Sequence, residues 1–237
     1  MQPPAPYGMT SDIRGISSMA TRLVLAELLA HWQQRTGRQV QVESVGGVDA
    51  ARRVAAGEPF DVVFLASDAI DRLIAAGHVQ AGSRVDLVRS GVAVAVREGA
   101  PRPDIATEAA LRAAVLGARS LGYSTGPSGV ALAQLFARWG IAEQIKDRIV
   151  TPPPGVPVGS LVASGEVELG FQQLSELLPL PGITVLGPLP EAVQIVTIFS
   201  GGVCATARQP DAVRELLAAL AAPETAAIKR RHGMEPA

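Results

Sequence analysis

The chain has a single cysteine, Cys204, in 237 residues, which excludes an internal disulfide and a Cys-rich metal site. Its setting, "FSGGVCATA", reads as a buried strand, where a lone thiol serves as a small hydrophobe. Charge of either sign is not in excess: the formal net charge is -1, so the chain offers no polyanion-seeking surface and nucleic acid is excluded as a partner. No run approaches the roughly 20 apolar residues of a membrane span. The N-terminus, "MQPPAPYGMTSDIRG", lacks a basic region and an apolar run long enough for a secretory signal. As written, the chain is expected in the cytoplasm, and in the periplasm if its native N-terminus was trimmed. Met9 is an alternative start, with residues 1–8 then a disordered leader.

Familiar catalytic signatures are missing as well. "GPSGV" has no glycine two residues before its serine, so it is not a nucleophile elbow. Neither the phosphate-loop pattern nor a strand followed by G-x-G-x-x-G occurs. His31, His78 and His232 are scattered and give no metal spacing.

What the chain does have is alternation. With 48% hydrophobic residues it can bury a substantial core. "DIRGIS" reads as a strand, Ser17 or Ser18 as the cap of a helix, and Leu25, Leu28, Leu29 and Trp32 as that helix's buried face, closed by Gly37. "QVQVESV" is a second strand running into the Gly-rich helix start "GGVDAARRVAAG". "DVVFLA" is a continuous apolar strand of the kind covered on both faces, and Ser67 or Asp68 caps the next helix. The rhythm resumes with a helix near Thr107 to Ala118, the strand "SLGYS", a helix over Gly129 to Trp139 and the strand "RIVTPP". A further helix, the strand in "VELGFQQ", the apolar "EAVQIVTIFSGGVCATA" and helices at Pro210 to Ala221 and Pro223 to Arg231 finish the chain.

Such alternation predicts an α/β fold with parallel sheets, whose ligands lie beyond the carboxyl ends of the strands. Those ends carry polar loops: Ser17 and Ser18, Gly46 and Gly47, Ser67, the stretch from Ser124 to Gly129, and Gln172 to Glu176. "GYSTGPSGVALAQLF" shows the pattern well, because a loop with three hydroxyls at Ser124, Thr125 and Ser128 opens directly into an apolar helix. Helix starts offer free backbone N–H groups and a partial positive charge, so several together make an anion cradle. For any one loop on its own, simple helix capping is the reading to prefer; it is several together that point to a cradle.

The segments "GVDAARRVAAGEPFDVVFLASDAIDRLIAAGHV", "STGPSGVALAQLFARWGI", "GSLVASGEVELGFQQLSEL" and "FSGGVCATARQPDAVRELLAALAAPETAAIKRRHGMEP" resemble, in order and spacing, the molybdate-type periplasmic solute-binding proteins. The resemblance runs from about Asp12 to the end. It implies a two-lobed type II periplasmic-binding-protein fold, with parallel-rich sheets flanked by helices and two crossing hinge strands, "DLVRSGVAVAV" and "AVQIVTIFSGGV". Lobe one is then residues 9–88 plus 198–237, and lobe two residues 89–197. A small anion between the lobes is the implied ligand, and a transporter permease is the implied partner only if the protein is exported.

Carried over residue by residue, the family's first serine falls on Ser17 or Ser18 and its second hydroxyl on Gly46 or Gly47. Its backbone donors fall on Ser128 and near Val156, and its tyrosine on Gln173. Glycine for a hydroxyl widens the pocket, and the amide of Gln172 or Gln173 both donates and accepts. Both changes suit a larger, carboxylate-bearing ligand better than a bare oxyanion. "GFQQLSEL" also resembles a subgroup that includes an aconitate isomerase, an activity needing a general acid and base but no cofactor. Glu176 and Asp49 are the carboxylates in the candidate loops, and for each a first-turn helix acid favoured by the dipole is the simpler reading. Arg22, Arg52 and Arg89 could pair bidentately with carboxylates, although each reads first as an exposed helix or hinge residue.

Overall fold

The computed structural model describes residues 12–153 and 155–237; the expected leader at residues 1–8 lies outside them. In chain order the elements are β1 (Ile13–Ser18), α1 (Arg22–Thr36), β2 (Val40–Val45), α2 (Gly47–Ala55), β3 (Val62–Ala66), α3 (Ser67–Ala75) and β4 (Val85–Arg97). There follow α4 (Glu108–Gly117), β5 (Leu121–Tyr123), α5 (Pro127–Arg138), α6 (Ala142–Ile145), β6 (Ile149–Val150), α7 (Val158–Ser164), β7 (Leu169–Gln173) and α8 (Leu174–Leu177). The chain closes with β8 (Ile183–Pro188), β9 (Val196–Val203), α9 (Pro210–Ala221), α10 (Ala226–Arg231) and β10 (Met234–Pro236).

Local chemistry accounts for most boundaries. Thr107 caps α4 by accepting the Ala110 N–H at 3.1 Å. Gly37 ends α1 in the left-handed conformation, φ 69°, that a side chain disfavours. α5 begins two residues earlier than the periodicity suggests because Pro127 is accommodated in its first turn. Two expected caps are corrected: Ala66, not Ser67 or Asp68, holds the cap position of α3, and α1 follows a 3-10 turn, Met19–Thr21, whose cap residue Ser18 makes no capping hydrogen bond.

The strands run in the order β2-β1-β3-β9-β4-β7-β5-β6, with β8 and β10 also paired to β4. Pairing is parallel within β1–β3 and within β5–β7, as βαβ units require, while every pairing of β4 and β9 is antiparallel. β4 is the spine: residues up to Gly91 pair with β9, and from Val92 onward they pair with β7 and β8. The arrangement is the two-lobed, type II periplasmic-binding-protein fold.

Apolar clusters fill both sides of each half. On one side of the first half, Leu25, Leu28, Leu216 and Leu217 pack on Phe64, Val88 and Phe199. On the other, Ala50, Val54, Ile70 and Leu73 pack on Ile16, Val63, Leu65 and Cys204, whose thiol is pushed up to about 12 by burial and then by nearby Asp61. It is an inert hydrophobe, as its strand setting suggests. In the second half Leu132, Leu135 and Phe136 cover Val92, Val94 and Phe171, and Leu177 covers Ala93 and Ala95.

Candidate functional site

Register places the polar loops against one another. β3 ends at Ala66, level with Phe199 and hence with Val88 of β4, and β7 ends at Gln173, level with Val92. β3 points toward the second half of β4 and β7 toward the first, so the carboxyl ends of the two parallel sets face each other. Three residues of β4, Arg89 to Gly91, lie between these levels, four steps or about 13 Å along the strand. That interval is wide enough for a small molecule, and it is bridged at one side by Ser175, whose hydroxyl donates to the Ala20 carbonyl at 3.1 Å.

On the first side, Ser17 is fully buried and its hydroxyl is engaged with that of Ser44 at 2.8 Å, a partner the sequence reading did not include. Ser18 is buried with a hydroxyl that has no hydrogen-bond partner. Gly47 opens α2 beside it: a Cβ there would lie 3.5 Å from the Ser18 Cβ, an ordinary contact, and one at Gly46 would meet nothing within 4 Å. Neither glycine has a positive φ, so neither backbone demands glycine; the pair leaves open space next to an unsatisfied hydroxyl. Ser67 is half-buried at the start of α3. Asp49 and Arg52 form an exposed ion pair with each other, and Arg22 and Arg89 are exposed.

On the second side, Gly129 is required. A Cβ at that position would fall 1.6 Å from the Ser124 carbonyl oxygen, so the loop Ser124 to Gly126 folds directly onto α5. Ser128, in the first turn, is 5% exposed, while Ser124 is half-buried and Thr125 exposed. Val156 is a weaker candidate than its position suggests, because its N–H already donates to the Pro153 carbonyl at 3.1 Å.

β7 ends in two buried glutamines with different surroundings. Gln172 accepts from the Gly159 N–H at 3.4 Å and donates through Nε2 to Glu176 at 3.0 Å. Gln173 donates to the Thr197 hydroxyl at 3.0 Å, leaving its own oxygen without a partner. Burial pushes the Glu176 carboxyl up to about 7, with the Gln172 hydrogen bond pulling in the opposite direction. A first-turn helix acid would be exposed and low; this one is neither, in a helix only four residues long.

The family model for bacterial extracellular solute-binding proteins matches residues 13–235. The chain belongs to that family. An aconitate isomerase from a Pseudomonas species is 38% identical over 229 residues, covering 93% of this chain and 86% of the relative. The periplasmic molybdate-binding protein of Azotobacter vinelandii has a TM-score of 0.77 at 20% identity, covering 94% of this chain and 98% of that one. The sulfate-binding protein SubI of Mycobacterium tuberculosis also scores 0.77, at 17% identity over 95% of this chain and 86% of its own. At these identities the two structures establish the fold.

Proposed function

We propose that this protein holds a small, carboxylate-bearing anion between the facing strand ends, with lobe one as residues 9–88 plus 198–237 and lobe two as residues 89–197. What supports this reading is that the carboxyl ends of β1–β3, which lead to Ser18, Gly47 and α2, face the carboxyl ends of β5–β7, which lead to Ser128, α5 and Gln173. The family supports solute binding, and the molybdate- and sulfate-binding neighbours support an anionic solute. The open space at Gly46 and Gly47 favours a ligand larger than a tetrahedral oxyanion.

Glu176 favours a second step on the same ligand: an allylic proton shift, as in the interconversion of cis- and trans-aconitate. In that reaction a base takes a proton from the methylene carbon, the electron pair moves the double bond, and a proton returns at the former alkene carbon. Nothing is oxidised and no proton is consumed. A carboxyl near pH 7 exchanges readily between base and acid forms, which is the property general acid–base chemistry needs. The 38% identical aconitate isomerase supports the same reading. In this reading the protein needs no cofactor, and an exported form acting as a receptor would pass its ligand to a transporter permease.

Proton NMR of the protein with cis-aconitate tests the reaction, and calorimetry with cis- and trans-aconitate, molybdate and sulfate tests the binding. Conversion with saturable carboxylate binding is expected. Binding without conversion would leave a receptor, and submicromolar molybdate binding with no carboxylate binding would overturn both readings.

A further inference from the structure

Two hydroxyls on the crossing strands belong to the same constellation. Ser90 of β4 and Thr197 of β9 are directly opposite each other in the ladder, and Val92, two residues on, is opposite Gln173 of β7. Because side chains alternate along a strand and cross-strand partners share a face, Ser90, Thr197 and Gln173 project from one face of the spine. The 3.0 Å hydrogen bond from Gln173 to Thr197 bears this out.

That face runs from one apolar core to the other. Val88 and Phe199, on one side of the trio, belong to the core under α1 and α9, while Val92 and Phe171, on the other, belong to the core under α4 and α5. In the gap between two apolar cores there are instead three polar side chains, at 0%, 9% and 4% exposure. The Ser90 hydroxyl and the Gln173 oxygen are both without a hydrogen-bond partner. A buried hydroxyl or amide oxygen without a partner carries an uncompensated desolvation cost. An apolar pair would avoid that cost, which points to a ligand atom as the missing partner.

We infer that Ser90, Thr197 and Gln173 form a carboxyl subsite on the floor of the cleft, one that engages a single carboxyl group of a di- or tricarboxylate. The inference rests on the anion-binding reading and names the ligand class. The Gln173 amide and the Thr197 hydroxyl can exchange donor and acceptor roles. With the amide as placed, its oxygen accepts from a protonated carboxyl; turned over, its NH₂ donates to a carboxylate while Thr197 donates to the oxygen. Ser90 donates in either case. A carboxyl group in either protonation form is therefore matched.

Calorimetry on wild type, Ser90→Ala, Ser90→Cys and Gln173→Met tests it with three probes: propane-1,2,3-tricarboxylate, glutarate, which lacks the central carboxyl, and methylsuccinate, which lacks a terminal one. Melting temperature without ligand verifies folding, and Ser90→Cys, close in volume with a weaker donor, stands in if the other variants do not fold. The tricarboxylate should lose about tenfold to a hundredfold in affinity in the variants, the range of one hydrogen bond to a charged group. One of the truncated acids, the one lacking the carboxyl held here, should bind wild type and variants alike. Equal losses for all three acids, or no loss for any, in folded variants would overturn the subsite while leaving anion binding in place. Wild type binding none of the three would remove both.

Discussion

The two halves of the sheet end in loops that look alike in sequence and behave differently in structure. On the β1–β3 side the loop groups are neutral and adaptable: a free Ser18 hydroxyl, a Ser17–Ser44 pair and two glycines whose backbone and surroundings would admit a side chain. On the β5–β7 side the loop is rigid, with Gly129 forced by the Ser124 carbonyl, and it lies in the same half as Glu176, a carboxyl displaced into the neutral range by burial. The contrast assigns different tasks. On the proposed reading, one half supplies space and uncharged donors, which would set what fits, and the other supplies the fixed helix start and a proton carrier, which would set what happens to it.

The largest expected effect removes the carrier. Glu176→Gln should reduce aconitate interconversion by about 10² to 10⁴-fold, the usual worth of a positioned acid or base, with ligand affinity changed only a few-fold. The same carboxyl makes stability depend on pH. Its folded value, about 7, lies above the ordinary 4.5, so the folded state binds the proton more tightly than the unfolded chain does. The stabilisation is complete below pH 4.5 and is lost as pH rises through 7. Wild type should therefore lose melting temperature relative to Glu176→Gln over that window, whereas a parallel curve for the two proteins would mean that Glu176 is solvated.

Next in size is the rigid loop. Gly129→Ala places a methyl carbon against backbone, so the Ser124 loop must move. Overpacking of this kind costs about 1 to 3 kcal/mol, and denaturant titration should find it together with weakened ligand binding. An unaltered midpoint would show that the two halves are equally plastic and dissolve the comparison.

Sequence periodicity revealed the alternation of helices and strands because the apolar faces are regular. "DVVFLA" could be read as a doubly covered strand without knowing what covered it, and the structure places all of β3 in the interior. Antiparallel entry of β4 and β9 was not legible, since a continuous apolar run carries no direction. β8 and β10 were missed: β10 is three residues long, and β8 lacks a buried face. Of the residues in the proposed site, Ser18 and Ser128 were picked out as hydroxyls in Ser- and Gly-rich loops, and Gln173 by its correspondence to the family's tyrosine. Ser90 and Thr197 went unnoticed because each is one hydroxyl within an apolar strand. The usable signal was their burial in "VRSGVAV" and "IVTIF", where a polar side chain has to find a partner.

A pair of substitutions at Ser128 probes the second half more gently. If the α5 start holds the anion through backbone N–H groups, Ser128→Ala removes only a hydroxyl and should weaken binding by about 1.5 to 3 kcal/mol. Ser128→Pro deletes the N–H itself and also restricts Pro127 before it, and should weaken binding further. Equal affinities for wild type and both variants would mean that the loop only terminates its helix.

The smallest effect on stability should come from the adaptable half, at Gly47. A Cβ there makes ordinary contacts, 3.5 Å from Ser18 and 4.0 Å from Leu65, so Gly47→Ser requires no rearrangement. Serine at the first position of α2 also costs less conformational entropy than glycine, and the stability change should stay within about 0.5 kcal/mol. Its hydroxyl would project beside the unsatisfied Ser18 oxygen, filling the space that favours an extended ligand. Affinity for propane-1,2,3-tricarboxylate should then fall several-fold, and affinity for sulfate or molybdate should rise, because a tetrahedral anion gains a donor without needing the volume. Gly46→Ala, whose Cβ meets nothing within 4 Å, should leave the melting temperature unchanged. If Gly47→Ser left the ratio of carboxylate to oxyanion affinity unchanged, space at α2 would not set selectivity, and the distinction between a fitting half and a reacting half would have to rest on the second half alone.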